Sequence, residues 1–317
     1  MAVVSTQNRV AQKLSLREVI ALQGVKTAPI LNMLKRGNIT SDIHGWFVDR
    51  YADAKDNAHL EITGLDEDTQ NTREKIENRT QIIKTEFAVS KRESEIAQYG
   101  GYEVEYQTGK KAIEHAKDIE FAILGLGNAT LFDEAKIGTT STPQRTAGFF
   151  HYIPAEHRKK YTSGVFTYQR LCEVLQPVWA RGGIDGGNFK VFLGSLLKAE
   201  VMNWRKEFPN IIVNQDKESL NPLITKIATD FGTIDLQLHR LFEGDKLKDA
   251  ILVGNFDESS VKYLTDTKIE DISTDKTIIA KRYYSDLCIE VPNPDHFACA
   301  TGLKPSSSKT TTSGSSN

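Results

Sequence analysis

Between residues 39 and 90 the chain switches between two textures. ITSDIHGWFVDR (39–50) and RTQIIKTEFAVS (79–90) are rich in β-branched and aromatic residues, whereas GLDEDTQNTREKIEN (64–78) is almost wholly polar. Side chains of the first kind suit a pleated, half-buried surface, so the two flanks read as long strands and the polar stretch as a solvated tip. A two-stranded hairpin is marginal in water, and this one has little apolar surface near its tip. Something outside residues 38–90 has to hold it, and any fold for this chain must supply that support.

The same region carries the residue types of a metal site. HGWFVDRYADAKDNAHLE (44–61) contains two histidines, three aspartates and a glutamate, and His59-Leu60-Glu61 matches the H-x-E half of a zinc deaminase signature. The matching P-C-x-x-C is missing, because the three cysteines stand alone at Cys172, Cys288 and Cys299. A metal-dependent enzyme built on His44, His59 and Glu61 is therefore the weaker reading, and solvated strand faces are the stronger one. GLGNAT (125–130) follows a helical pattern instead of a strand and has threonine where a dinucleotide loop needs its third glycine, so a helix C-cap at Gly125 or Gly127 explains it better. GGIDGG (182–187) lacks the Lys-Ser/Thr of a Walker loop, and no G-x-S-x-G elbow occurs. The sequence assigns no catalytic, cofactor-binding or metal residue.

Elsewhere the pattern mixes helices and strands in an α+β order. SLREVIALQG (15–24) places Leu16, Val19, Ile20 and Leu22 on a helical stripe behind a Ser15/Glu18 capping box. Pro29 disfavours helical backbone at Ala28, and Gly37-Asn38 reads as a turn. Residues 102–126 form a long helix with a core stripe of Ala112, Ala116, Ile119, Ile123 and Leu126. The Gly-, Thr- and Pro-rich stretch 127–165 reads as an extended loop. After it, TYQRLCEVLQPVWARGG is helical up to Pro177, FKVFLG is a buried strand and SLLKAEVMNWRKEF is an amphipathic helix. From residue 223 a run of strands closes the chain, and the Ser/Thr-rich end, 305–317, reads as a disordered tail.

Composition narrows the function further. Forty basic residues against 42 acidic ones leave a formal net charge of -2, whereas duplex-binding proteins usually carry clear basic excess. Single cysteines without paired spacing fit a reducing compartment, and no apolar run approaches the roughly 18 residues of a membrane span.

Taken in order, these segments resemble the major capsid proteins of tailed bacteriophages, with the Hong Kong 97-like fold. VIALQGVKTAPILNML is similar to an arm segment in which a short helix leads into T-x-P-hydrophobic. IHGWFVDRYADAKDNAHLE is similar to the W-x-x-D…N-A-x-x-E start of an extended loop, and NRTQIIKTEFAVS to its return strand. KKAIEHAKDIEFAIL resembles a spine helix, FKVFLGSLLKAEVMNW a strand-helix step of the axial domain, and IIAKRYYSDLCIEVPNPDHFACATGLK the closing strands. YADAK (51–55) departs from the more apolar stretch common there, and the Ser/Thr tail is extra.

The resemblance implies an N-terminal arm (1–37), an extended hairpin loop (38–90), a peripheral domain with the spine helix and a connecting loop (91–165) and an axial domain (166–250). Closing strands of both domains (251–304) and the tail follow. It implies that copies form hexamers and pentamers of an icosahedral shell that encloses double-stranded DNA without sequence-specific binding. A portal protein is the expected partner; because no long acidic or heptad-rich segment precedes the arm, any scaffold is expected to be a separate protein, as is any decoration protein. The protein would reside in the virion, and in the host cytoplasm during assembly. On this reading the hairpin is polar because it lies on a neighbour, and Trp46, Asp49, Asn57, Glu61, Arg73 and Arg79 are the expected intersubunit contacts. An encapsulin-like compartment, with the same fold around protein cargo, is the alternative.

Overall fold

The computed structural model describes residues 28–52, 54–61, 73–96, 102–184, 189–207, 212–213 and 226–306. The expected helix at 15–24, the centre of the hairpin tip and tail residues 307–317 lie outside these. The elements in chain order are α1 (Pro29–Met33), β1 (Lys35–Asn38), β2 (Ile43–Val48), β3 (Glu74–Arg79), β4 (Gln81–Ser90), α2 (Lys91–Ser94), α3 (Glu103–Ile123), α4 (Phe149–Tyr152) and β5 (Arg158–Val165). Then come α5 (Tyr168–Ala180), β6 (Phe189–Leu193), α6 (Ser195–Glu207), β7 (Ile212–Val213), β8 (Lys226–Thr229), β9 (Gly232–Leu238), β10 (Ile251–Asn255), β11 (Ser260–Ile272), β12 (Ile278–Glu290) and β13 (Phe297–Lys304).

Three sheets organise the chain: a four-stranded sheet ordered β1-β11-β12-β4, a seven-stranded sheet ordered β5-β13-β10-β6-β9-β8-β7, and the ribbon β2-β3. FKVFL and ILVGN lie side by side inside the second sheet and are apolar almost throughout, as expected of strands covered on both faces. Val191, Leu193, Ile251 and Val253 face a core shared with Leu171, Val174 and Val178 of α5 and Leu197, Val201 and Trp204 of α6. Phe192 and Leu252 face the other way, into a core with Phe149, Phe256 and Phe297.

α3 lies on the four-stranded sheet, with Ile119, Ala122 and Ile123 buried. It begins and ends close to expectation, but its stripe is shorter: Ala112 is exposed, and the polar His115 and Glu120 are buried instead. His115 is enclosed because its ring nitrogens lie 3.0 Å from the Thr85 hydroxyl and 2.7 Å from the Ser285 hydroxyl, so a sheet-facing polar residue is satisfied. The helix closes at Gly125, whose φ of 72° is the left-handed conformation of a C-cap. Gly148 packs against that turn so closely that a Cβ there would meet the Gly125 backbone.

Several expectations are corrected. Gly37 and Asn38 are not a turn: they belong to β1, which runs parallel to β11 in the register Gly37↔Lys262 and Asn38↔Tyr263. The return strand of the hairpin is two strands. Glu74–Arg79, expected mostly within the polar tip, pairs with β2, and Gln81–Ser90 joins β12 in the four-stranded sheet. A polar strand is tolerated at 74–79 because one face of the ribbon is solvated. α5 continues through Pro177 to Ala180, because a proline there removes only one backbone bond while Leu175 and Val178 on either side stay buried. The stretch 127–165 is not all loop, since it supplies α4 and β5, the latter parallel to β13. The folded region also reaches Ser306, whose N–H and hydroxyl donate to the Glu200 carboxylate at 3.0 and 2.8 Å.

Candidate functional site

The ribbon β2-β3 pairs Ile43↔Arg79 through Val48↔Glu74, so alternate residues share a face. Trp46 and Val48 turn inward and are buried, while Ile43, Gly45 and Phe47 turn outward. The inward face is fastened to the body. The Trp46 indole N–H donates to the Val291 carbonyl at 3.1 Å, and its ring lies 5.4 Å from that of Tyr152. The Tyr152 hydroxyl in turn donates to the Glu77 carbonyl at 3.2 Å.

Asn78 is the central fastening. Its side chain is 1% exposed, donates to the Ile289 carbonyl at 2.8 Å and accepts from the Ala147 N–H at 3.0 Å and the Thr146 hydroxyl at 3.2 Å. One amide thus ties the ribbon to β12 and to the segment before α4. A buried amide with both ends paired fixes register as well as position.

Charge completes the root. Arg50 makes a two-pronged contact with Asp295, at 2.7 and 3.2 Å, and reaches Glu74 at 3.4 Å. Burial pushes the Asp295 carboxyl up, but the Arg50 hydrogen bond and charge outweigh it and hold the group below the usual carboxylate range. Glu290 behaves likewise: burial opposes ionisation, and Lys262 at 2.7 Å, the Ser260 hydroxyl and His44 bring the carboxyl below its ordinary value. Asp286 goes the other way, its carboxyl raised by burial, with Oδ1 lacking a hydrogen-bond partner among the described residues.

Past its root the hairpin is open. Phe47 is 70% exposed, Tyr51 101% and Leu60 81%, large apolar side chains that the described residues leave largely uncovered. Of the six residues expected to contact a neighbour, the structure sets Trp46 apart: it is packed inside its own subunit, because Val291 and Tyr152 supply both its polar and its apolar partner. Asp49 and Arg73 are exposed and face each other at 3.6 Å, Asn57 and Glu61 are exposed, and Arg79 is half-buried 3.9 Å from Asp42.

His44, His59 and Glu61 are not gathered into a metal centre. His44 Nε2 is 3.4 Å from Glu290 at the root, whereas the exposed His59 lies 2.9 Å from Asn57 Oδ1. Among the described residues no group of three or more His, Cys, Asp or Glu is placed to hold a metal ion, and no helix is long and apolar enough to cross a membrane. Sequence reasoning missed Asn78, Tyr152 and the Arg50–Asp295 pair. Asn78 sits in a polar run that resembles a tip, and Asp295 lies far from Arg50 in sequence, so no short-range signal marks either.

This architecture recurs in solved structures. The SrpI encapsulin of Synechococcus elongatus has a TM-score of 0.60 at 10% identity, over 96% of this chain and 97% of that one. A chain from Microbacterium phage Oxtober96 scores 0.61 at 11% identity, over 93% and 96%. The capsid of cyanophage A-1(L) scores 0.57 at 13% identity, over 94% and 98%. The fold is thus the Hong Kong 97-like fold of phage capsids and encapsulins. No curated protein sequence matches the chain significantly. The family model described as SU10 major capsid protein matches residues 3–304, nearly the whole length, and the chain belongs to that family.

Proposed function

We propose that the projecting hairpin lies across an adjacent copy in a closed icosahedral shell of hexamers and pentamers enclosing double-stranded DNA. The carrying observation is the contrast between the root, where Trp46 and Asn78 are fully partnered, and the open part, where Phe47, Tyr51 and Leu60 are exposed. Exposed apolar groups of this size on a projecting element suit an interface. In this reading Asp49, Asn57, Glu61, Arg73 and Arg79 are its polar contacts and Trp46 orients the ribbon from within. Residues 1–37 serve as the arm, 38–90 as the extended loop, 91–165 and 166–250 as peripheral and axial domains, 251–304 as closing strands, and 305–317 as the tail.

A net charge of -2 suits a container whose wall must let packaged DNA slide, since a strongly basic lining would bind phosphates. The shell would take a portal protein and separate scaffold and decoration proteins, would assemble in the host cytoplasm, and performs no catalytic step in this account. The likeness to an encapsulin favours one rival content, protein cargo. Particles purified from infected cells decide between the two: nuclease-protected DNA supports the capsid reading, and DNA-free shells filled with one enzyme overturn it.

A further inference from the structure

One inward-facing residue at the hairpin root lacks the hydrogen bond that its neighbours have. Trp46 is bonded to Val291 and Asn78 to Ile289, but His44, directly cross-strand from Asn78 and two residues before Trp46, is held differently. Its Nε2 is buried and lies 3.4 Å from Glu290 Oε2 of β12, yet makes no hydrogen bond among the described residues. The ring sits beside Trp46, centroids 5.7 Å apart.

The facing carboxylate suits a cation. Burial opposes its ionisation, but Lys262 Nζ of β11 at 2.7 Å and the Ser260 hydroxyl at 3.0 Å bring Glu290 below the ordinary carboxylate value. It therefore stays an anion through the range near neutrality in which imidazoles titrate. A neutral imidazole carries one N–H and an imidazolium two, so a protonated His44 presents a donor to Glu290 whichever tautomer it came from. Such a charge-assisted bond is stronger than a neutral one. The remaining charges at the root are Lys262, which shares Glu290 and repels a second cation, and Asp42, which lies 3.9 Å from Arg79 of β3. Asp286 of β12 is the last: burial raises its carboxyl and Oδ1 is buried without a hydrogen-bond partner among the described residues, so proton uptake there also relieves the root.

We propose that His44 is a proton-operated latch of the hairpin: protonated, it bonds Glu290 and clamps the ribbon β2-β3 to its own subunit, and neutral, it leaves the ribbon on the Trp46 and Asn78 fastenings alone. The latch regulates the element assigned above to the contact between copies, stiffening it in mild acid and loosening it above neutrality. It rests on that reading for its use only. Its test needs no shell, so a hairpin that touches no neighbour would refute the interface without touching the latch.

The test is hydrogen exchange on the full-length, unassembled chain from pH 8 down to pH 5.5, above the range in which Glu290 and Asp295, both held below the ordinary carboxylate value, take up protons. Protection factors at 43–48 and 74–79 are divided by those of β10 and β13, which removes intrinsic exchange chemistry and any pH dependence of the fold as a whole. The ratio should rise about tenfold or more as pH falls, within the limit of tenfold per pH unit for one proton. His44→Gln should give a flat ratio, because its amide donates to Glu290 at every pH. Glu290→Gln should also be flat, since it removes the anion while β10 and β13 report whether the variant is folded. A flat ratio in the parent would overturn the proposal. So would a slope that persists in His44→Gln, which would assign the proton to Asp286 instead.

Discussion

Replacing Asn78 tests whether the hairpin is held by its own subunit. Asn78→Ala deprives the Ala147 N–H of its acceptor and the Ile289 carbonyl of its side-chain donor, both in a site that is 1% exposed. Each buried group left without its partner costs about 1–3 kcal/mol, so the substitution costs about 2–6 kcal/mol. Against a domain stability of about 5–15 kcal/mol this is severe. Asn57→Ala, at an exposed position, should stay within about 0.5 kcal/mol of the parent. Asn78→Asp should be at least as damaging as the alanine, since it keeps the acceptors, loses the donor to Ile289 and buries a charge. Urea unfolding of the unassembled subunit measures all three, and hydrogen exchange at 74–79 locates the loss. If Asn78→Ala and Asn57→Ala unfolded at the same midpoint, the root would not carry the hairpin and the structural argument would fail.

Four further outcomes follow from individual contacts. Ile119→Ala, at a site 3% exposed, should cost about 2–5 kcal/mol and reduce soluble subunit, whereas Lys117→Ala should change yield little; equal effects would mean the helix phase is wrong. Trypsin should cut after the exposed Lys55 in free subunits and not in assembled shells, with equal cleavage of both forms contradicting the interface. Burial lowers the His115 pKa, so the neutral ring stabilises the fold above the unfolded value near 6.5. That contribution is lost as pH falls from there through the folded value, at up to about 1.4 kcal/mol per unit, and a pH series on His115→Gln should lose this slope. Deleting residues 307–317 should leave the unfolding midpoint unchanged, while deletion from residue 305 should lower it, because it also removes the Ser306 bonds to Glu200.

What could be read from the sequence was whatever repeats at short range. The C-terminal part of the stripe on α3, with Ile119 and Ile123, the apolar strand at 189–193 and the glycine cap at 125 follow from local periodicity and backbone preference, and the structure has them. The strand break at Thr80 did not follow, because the two halves of that stretch differ only in which partner they find: β2 for Glu74–Arg79, β12 for Gln81–Ser90. Likewise β1 looked like a turn, since Gly37-Asn38 is a strong local turn signal that parallel pairing with β11 overrides. Buried polar residues were hidden for the same reason. Glu120, His115 and Asn78 look like surface residues by type, and only contacts 30 to 211 positions away make them interior ones. The prediction that the hairpin needs outside support came from composition, but the identity of that support, Val291, Ala147, Ile289 and Asp295, is a property of the assembled sheets.

The most direct test of the account is electron cryomicroscopy of particles formed by the purified full-length chain. The account predicts closed shells in which residues 51–61 of each copy, including Tyr51 and Leu60, lie in contact with an adjacent copy while Trp46 remains packed against Tyr152 of its own chain. Shells in which residues 51–61 touch no neighbour, or a chain that stays monomeric under all assembly conditions, would contradict it.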